Sequence, residues 1–183
     1  MTGVDFIAIN TDAQDLEKNS AEHRIQIGKT LTKGLGAGAR STIGHEAMTT
    51  DKEAVQNLIE GADMVFITCG MGGGTGTGAA PVIAQIANEL GVLTVGIVTL
   101  PFKFEGPRRL ERAMEGISEI RKVCDTVIII PNQKLMSIVD KNTTLPDSFL
   151  LADSILHQAA KGISDLINVH GMINLDFADV ETI

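Results

Sequence analysis

Residues 70 to 78 read Gly70-Met71-Gly72-Gly73-Gly74-Thr75-Gly76-Thr77-Gly78, six glycines in nine positions, and Ala79-Ala80-Pro81 follows. No other segment constrains the fold as strongly. Upstream, Met64-Val65-Phe66-Ile67 is an apolar run of strand length. Downstream, Val82, Ile83, Ile86, Ala87 and Leu90 recur at helical spacing, which predicts a helix over Thr77–Leu90. Strand, glycine loop and helix together bring backbone N–H groups and a helix N-terminus onto an anion. Glycine lets the backbone approach closely and adopt positive φ. Pro81 suits a first helical turn, where its missing N–H costs nothing. The two threonine hydroxyls can donate to phosphate oxygens or help hold Mg²⁺. A tight turn in a closely packed sheet would also use glycine, but glycine this dense is costly to order.

Two common phosphate loops fit poorly. A Walker A loop ends in Gly-Lys-Ser/Thr, whereas Gly78 is followed by Ala79-Ala80 with no lysine nearby. A dinucleotide fingerprint can be laid over Gly74–Ala79, but it requires an acid at the end of the next strand. That strand, Leu93–Thr99, ends in Thr99-Leu100-Pro101. A nicotinamide-dependent oxidoreductase is therefore disfavoured.

Strands alternate with helices along the rest of the chain, which predicts a parallel sheet covered on both faces. Strands are expected at Phe6–Ile9, Arg24–Ile27, Met64–Thr68, Leu93–Thr99 and Val127–Ile130. Helices are expected near Ile43–Met48, Lys52–Ile59, Thr77–Leu90, Arg108–Lys122 and Lys134–Val139, with a long one over Asp147–Asn168. Hydrophobic residues make up 44% of 183, nearly all aliphatic and with no Trp or Tyr, which suits such a sheet. A net charge of −8 and few aromatics argue against nucleic-acid binding. No basic-then-apolar leader and no apolar run of spanning length is visible, so no direct membrane contact is expected. Cys69 and Cys124 read as small apolar residues, and the four histidines (His23, His45, His157, His170) as surface residues without ligand spacing.

Six motifs, in order, resemble those of the tubulin/FtsZ family, on the FtsZ side rather than that of eukaryotic tubulin. The glycine loop is similar to the family's GGGTGTG signature. Asn10-Thr11-Asp12-Ala13-Gln14 resembles its second nucleotide loop and Gly34-Leu35-Gly36-Ala37-Gly38-Ala39 its third. Pro101–Gly106 with Arg109 resembles the fifth loop, and Ile130-Pro131-Asn132 the sixth. Asn174-Leu175-Asp176-Phe177-Ala178-Asp179 resembles the catalytic loop. One departure is visible: Arg40-Ser41 stand where the family usually has asparagine and proline.

The resemblance implies an α/β, Rossmann-like parallel sheet with helices on both faces, the GTPase domain of that family. It implies that GTP or GDP is bound by Asn10, by Ala37, Gly38 and Ala39, and by Gly70, Gly72, Gly73, Gly74, Thr75, Gly76, Thr77 and Gly78. Pro101, Glu105 and Arg109 would flank the ribose and phosphates, while Asn132, Phe149 and Asp153 would hold the guanine. Mg²⁺ would be held through the nucleotide phosphates, with no protein metal site. Asp176 and Asp179, helped by Asn174, would complete hydrolysis in the site of the adjacent subunit. Taken singly, Glu105 and Arg109 read as solvated charges, Phe149 as core, and Asp176 and Asp179 as an N-cap with a first-turn acid. The motif context is what gives them chemistry.

Against the family, the chain is expected to lack the first strand, the first nucleotide loop and the second domain. Residues 1–172 would be a GTP-binding domain incomplete at its N-terminus, and 173–183 the catalytic loop and the start of the central helix. In a 3-2-1-4-5-6 strand order, the absent strand would lie between those at Phe6 and Met64. The implied protein is a self-assembling, head-to-tail filament GTPase of the cytoplasm, acting at the division site with cell-division partners. The alternative is an inactive fragment that caps filaments.

Overall fold

A computed structural model describes residues 3–137 and 143–168. In chain order the elements are β1 (Ile7–Asn10), α1 (Ala13–Glu17), β2 (His23–Gln26), α2 (Lys29–Thr32), α3 (Ser41–Thr50), α4 (Lys52–Ile59) and β3 (Met64–Gly70). There follow α5 (Thr75–Glu89), β4 (Leu93–Leu100), a 3₁₀ turn (Lys103–Glu105), α6 (Pro107–Ile120), β5 (Thr126–Pro131), α7 (Asn132–Leu135) and α8 (Leu145–Asn168). The expected α/β alternation is present, with all strand pairs parallel.

The sheet is in two pieces. β1 pairs with β2 from Ile7↔His23 to Asn10↔Gln26, and β3-β4-β5 form a separate three-stranded sheet. Met64 pairs with Leu93, and Val95 with Thr126. The break falls between β1 and β3. β4 lies between two strands under helices on both faces, and its six inner residues are buried.

Side chains alternate across β3. Val65 packs toward α4 and α5, in a cluster that includes Ile27, Val55, Ile59, Ala79 and Ala87. Met64 and Phe66 face α8, against Val95, Ile97 and Ala160. Period-two alternation thus supplies both layers. A reciprocal clamp pins the entrances of β4 and β5. Asp125 Oδ2 accepts from Thr94 N–H (2.7 Å) and the Thr94 hydroxyl (2.8 Å), and Asp125 N–H donates to Thr94 Oγ1 (3.0 Å).

Two expectations about helices are corrected. α5 begins at Thr75, because Gly74 is already helical (φ −87°, ψ −56°) and Gly78 N–H donates to Gly74 O at 3.1 Å. Pro81 is therefore an interior residue of α5, not a first-turn one, and the carbonyl of Thr77 loses its i+4 donor. α7 starts at Asn132, directly from β5, two residues earlier than the spacing predicts. α7 ends at Leu135, Met136 is its C-cap and Ser137 is in a turn, while the last two residues of the predicted helix, Ile138 and Val139, lie outside the described residues.

Candidate functional site

The glycine loop is built by close approach. A Cβ on Gly74 would stand 2.5 Å from Gly38 O and 2.8 Å from Ala37 Cβ, so the 37–39 segment rests directly on the loop. Gly72 has φ +103°, and a Cβ there would lie 2.6 Å from Arg109 O. The loop between β3 and α5 is thereby squeezed between the 37–39 segment and the first turn of α6. A Cβ on Gly73, by contrast, would meet nothing within 4 Å, so this residue opens to free space.

Hydrogen bonds fix the loop from three sides. Met71 N–H donates to Thr99 O (2.9 Å), Gly72 N–H to Thr77 Oγ1 (2.8 Å), and Arg112 Nε to Gly72 O (3.0 Å). Among the described residues, Gly73 and Gly74 N–H have no acceptor. The first-turn amides of α5 have none within the helix either. Unpaired donors at a helix N-terminus, beside an open glycine, make a cradle for an anion.

The other residues expected at the site play different parts. Thr77 is buried, and its hydroxyl accepts from within the loop, so it shapes the cradle. Asn10 Oδ1 accepts from Asp12 N–H at 3.2 Å, and Asp12 caps α1 through Gln14 and Asp15 N–H. Both carboxylate oxygens of Glu105 are engaged: Oε1 accepts from Phe102 N–H (2.8 Å) and Oε2 pairs with Arg109 Nε (2.9 Å). Glu105 thus locks the Pro101–Gly106 turn and holds Arg109 against Gly72.

At the far end, Phe149 is 41% exposed and meets Phe102 (5.4 Å, 90°) and Phe104 (6.1 Å, 89°) edge to face. Its ring is therefore braced by neighbours without being enclosed by them. Asn132 is buried, and its Oδ1 has no hydrogen-bond partner. A buried polar atom without a partner costs about 1–3 kcal/mol, and a ligand donor would satisfy it. Asp153 is exposed on α8, and its carboxyl is raised above the ordinary 3.8 by desolvation. Asn174, Asp176 and Asp179 lie outside the described residues.

Thr11 was not singled out by the sequence. It is fully buried, and its hydroxyl bonds that of Thr75 at 2.6 Å, tying the end of β1 to the first residue of α5. A threonine directly after a strand carries no local signal of this. Cys69 and Cys124 are free thiols, raised by burial to about 12 and about 11, and so stay protonated near neutral pH. Among the described residues no cluster of His, Cys, Asp or Glu has metal-binding geometry. No described helix is long and apolar enough to cross a membrane.

Comparison with known proteins gives one consistent answer. The model of the Tubulin/FtsZ family, GTPase domain, matches residues 1–140. An FtsZ dimer from M. jannaschii is 51% identical with a TM-score of 0.91, over 96% of this chain and 51% of that one. The W319Y mutant of M. jannaschii FtsZ gives 50% identity and a TM-score of 0.93, over 98% of this chain and 54% of that one. CetZ2 from Haloferax volcanii, in a GTPγS-bound protofilament, shares the fold at a TM-score of 0.81 and 23% identity, over 97% and 53% of the two chains. The chain thus spans about half the length of the structures it matches. It belongs to the tubulin/FtsZ family and corresponds to its GTPase domain.

Proposed function

We propose that the chain is the guanine-nucleotide-binding part of an FtsZ-like, self-assembling GTPase of bacterial cell division. One observation carries the reading: the unpaired amides of Gly73 and Gly74 at the start of α5, with Ala37 and Gly38 on one side and Arg109 on the other. This cradle suits the terminal phosphates of GTP. The helix dipole contributes about 0.3–1 kcal/mol for a favourable charge, and Mg²⁺ bound through the phosphates would offset the rest. The orphaned Oδ1 of Asn132 gives an acceptor for a guanine N–H, and the exposed ring of Phe149 a surface for the base. Asp153 would accept from the guanine N1–H and amino group, favouring G over A.

Hydrolysis is assigned to Asp176 and Asp179, positioned by Asn174, acting on the nucleotide of a neighbouring subunit. Such acids orient the attacking water while the cradle holds the γ-phosphate. A head-to-tail contact of this kind does not close and so produces filaments. Cytoplasmic location at the division site and division partners belong to the same reading.

The test is titration of a fluorescent guanine nucleotide with Mg²⁺, competed with GTP and ATP. Displacement by GTP alone supports the assignment, and equal displacement by ATP removes the guanine site. In a protein of the length of the matching FtsZ structures, Asp176→Ala or Asp179→Ala should lower turnover by about 10²–10⁴-fold with binding retained. Unchanged turnover in either variant would refute catalysis in trans. Substoichiometric loss of polymer when this chain is added to intact filaments would favour the capping role.

A further inference from the structure

One carbonyl of the glycine loop is held by a charged side chain from α6. Arg112 Nε–H donates to Gly72 O at 3.0 Å, across 40 positions of sequence. Arg109, Arg112 and Gly116 stand at i, i+3 and i+7 of α6 and so share one face. That face lies on the loop. A Cβ on Gly72 would stand 2.6 Å from Arg109 O, and one on Gly116 would stand 2.5 Å from Thr77 Cγ2 and 3.0 Å from Met71 Sδ. Ala113, Ile117 and Ile120 anchor α6 in the core with Met71, Ala80 and Val98. Arg112 thus rises from a fixed base.

The Gly72 carbonyl shares a planar peptide unit with the Gly73 N–H, and in a trans unit the two point in opposite directions. With the oxygen turned to α6, the N–H is turned away from it and meets no acceptor among the described residues. The bond from Gly72 N–H to Thr77 Oγ1 (2.8 Å) does not fix this unit, because ψ of Gly72 and φ of Gly73 lie beyond it. Glycine on both sides leaves those torsions nearly free, and a Cβ on Gly73 would meet nothing within 4 Å. The unit can therefore turn over. Its carbonyl oxygen would then stand where the N–H stood, with its negative end set against an anion. The bond from Arg112 opposes that rotation.

We infer that Arg112 is a positioning residue for a polyphosphate in the cradle: through Gly72 O it keeps the Gly73 N–H facing the anion. The inference rests on the nucleotide reading above for what occupies the cradle, and it gives Arg112 no contact with the ligand. What counts is a donor at the Nε position, not the charge. Glutamine carries an N–H donor the same number of bonds from Cα and has no charge. Methionine is as long and has no donor. Lysine keeps the charge but carries its donors one bond farther out.

The test is calorimetric titration of GTP, tripolyphosphate and guanosine, each with Mg²⁺, into the 183-residue chain and its Arg112 variants. Arg112→Met should weaken GTP and tripolyphosphate about tenfold and leave guanosine unchanged. It should also shift the residual dipolar coupling of the Gly73 amide in the unliganded chain. Arg112→Gln should restore both affinities to within about threefold and return that coupling. Wild-type phosphate affinity in Arg112→Met, an equal loss for guanosine, or an unmoved Gly73 coupling would overturn the inference. If Arg112→Met does not fold, the other two variants decide. Tighter binding by Arg112→Gln than by Arg112→Lys supports the donor, and equal or tighter binding by Arg112→Lys overturns it. A wild-type chain that binds tripolyphosphate but does not prefer GTP to ATP removes the guanine reading and leaves the positioning role standing. One that binds none of the three phosphates removes both.

Discussion

Gly78→Ala and Gly162→Ala are one chemical change made in two helices, with opposite expected signs. Helix propensity alone favours alanine at both positions by about 0.8–1 kcal/mol. At Gly162 in α8, a Cβ meets nothing within 4 Å, so this gain should be realised as a rise in stability of about 0.5–1 kcal/mol. At Gly78 the new Cβ would overlap Ser41 O, stand 2.5 Å from His45 N and lie 3.0 Å from Gly44 C. These are all backbone atoms of α3 or its first turn, so no rotamer change relieves the clash. Ordinary contact begins near 3.4 Å, so α3 must retreat at least 0.9 Å (3.4 − 2.5) from α5. That opens a seam in which Ala47, Met48 and Ala87 are fully buried.

Overpacking of this kind costs about 1–3 kcal/mol, and rigid neighbours put Gly78 at the upper end. Subtracting the propensity gain leaves a net loss of about 2 kcal/mol. For a chain of this size that lowers the melting temperature by about 4–8 °C, while Gly162→Ala raises it by about 1–4 °C. Far-UV circular dichroism is the assay, since the chain has neither Trp nor Tyr. A Gly78→Ala protein that melts at or above wild type would refute the backbone-contact account of the α3–α5 seam.

Other perturbations separate further parts of the structure. Thr77→Val leaves the buried Gly72 N–H without its acceptor and should cost about 1–3 kcal/mol, with weakened guanine-nucleotide binding. Thr77→Ser should retain both, as melts and nucleotide titration will show. Asp125→Ala removes the acceptor of two Thr94 donors and should destabilise by a similar amount, read from urea unfolding; a neutral result would dismiss the clamp. Desolvation raises the Asp153 carboxyl above 3.8, so the folded chain holds a proton there that the unfolded chain releases. Its contribution to stability therefore falls as pH rises through the window from 3.8 to the raised value. Asp153→Asn should flatten that decline, and an NMR titration placing the carboxyl at or below 3.8 would contradict it.

Much of the fold was readable along the chain because its signals are local. β3, the loop and α5 follow from an apolar run, a density of glycine that tolerates few other conformations, and helical spacing. Their boundaries moved by only a few residues. The largest local error, Pro81 as a first-turn residue, arose because the glycine loop supplies the first turn itself through Gly74. The motifs also named the segments that converge on the loop, Ala37–Gly38 and Arg109 among them.

What each side chain does there was not readable, because hydrogen-bond partners are chosen by three-dimensional proximity. Glu105 has the same local sequence whether it faces solvent or binds Arg109 and Phe102 N–H; the turn decides. Thr11 meets Thr75 across 64 positions, a distance at which sequence pattern is silent. The sequence alone determined that this chain is an α/β protein with a glycine loop between strand and helix, since backbone conformation and hydrophobic period are written residue by residue. Only the tertiary structure decided why Gly78 resists a methyl group that Gly162 accepts, and why two parallel sheets face each other across an open slot. Both are properties of what packs against a segment, and no segment encodes its neighbours by itself.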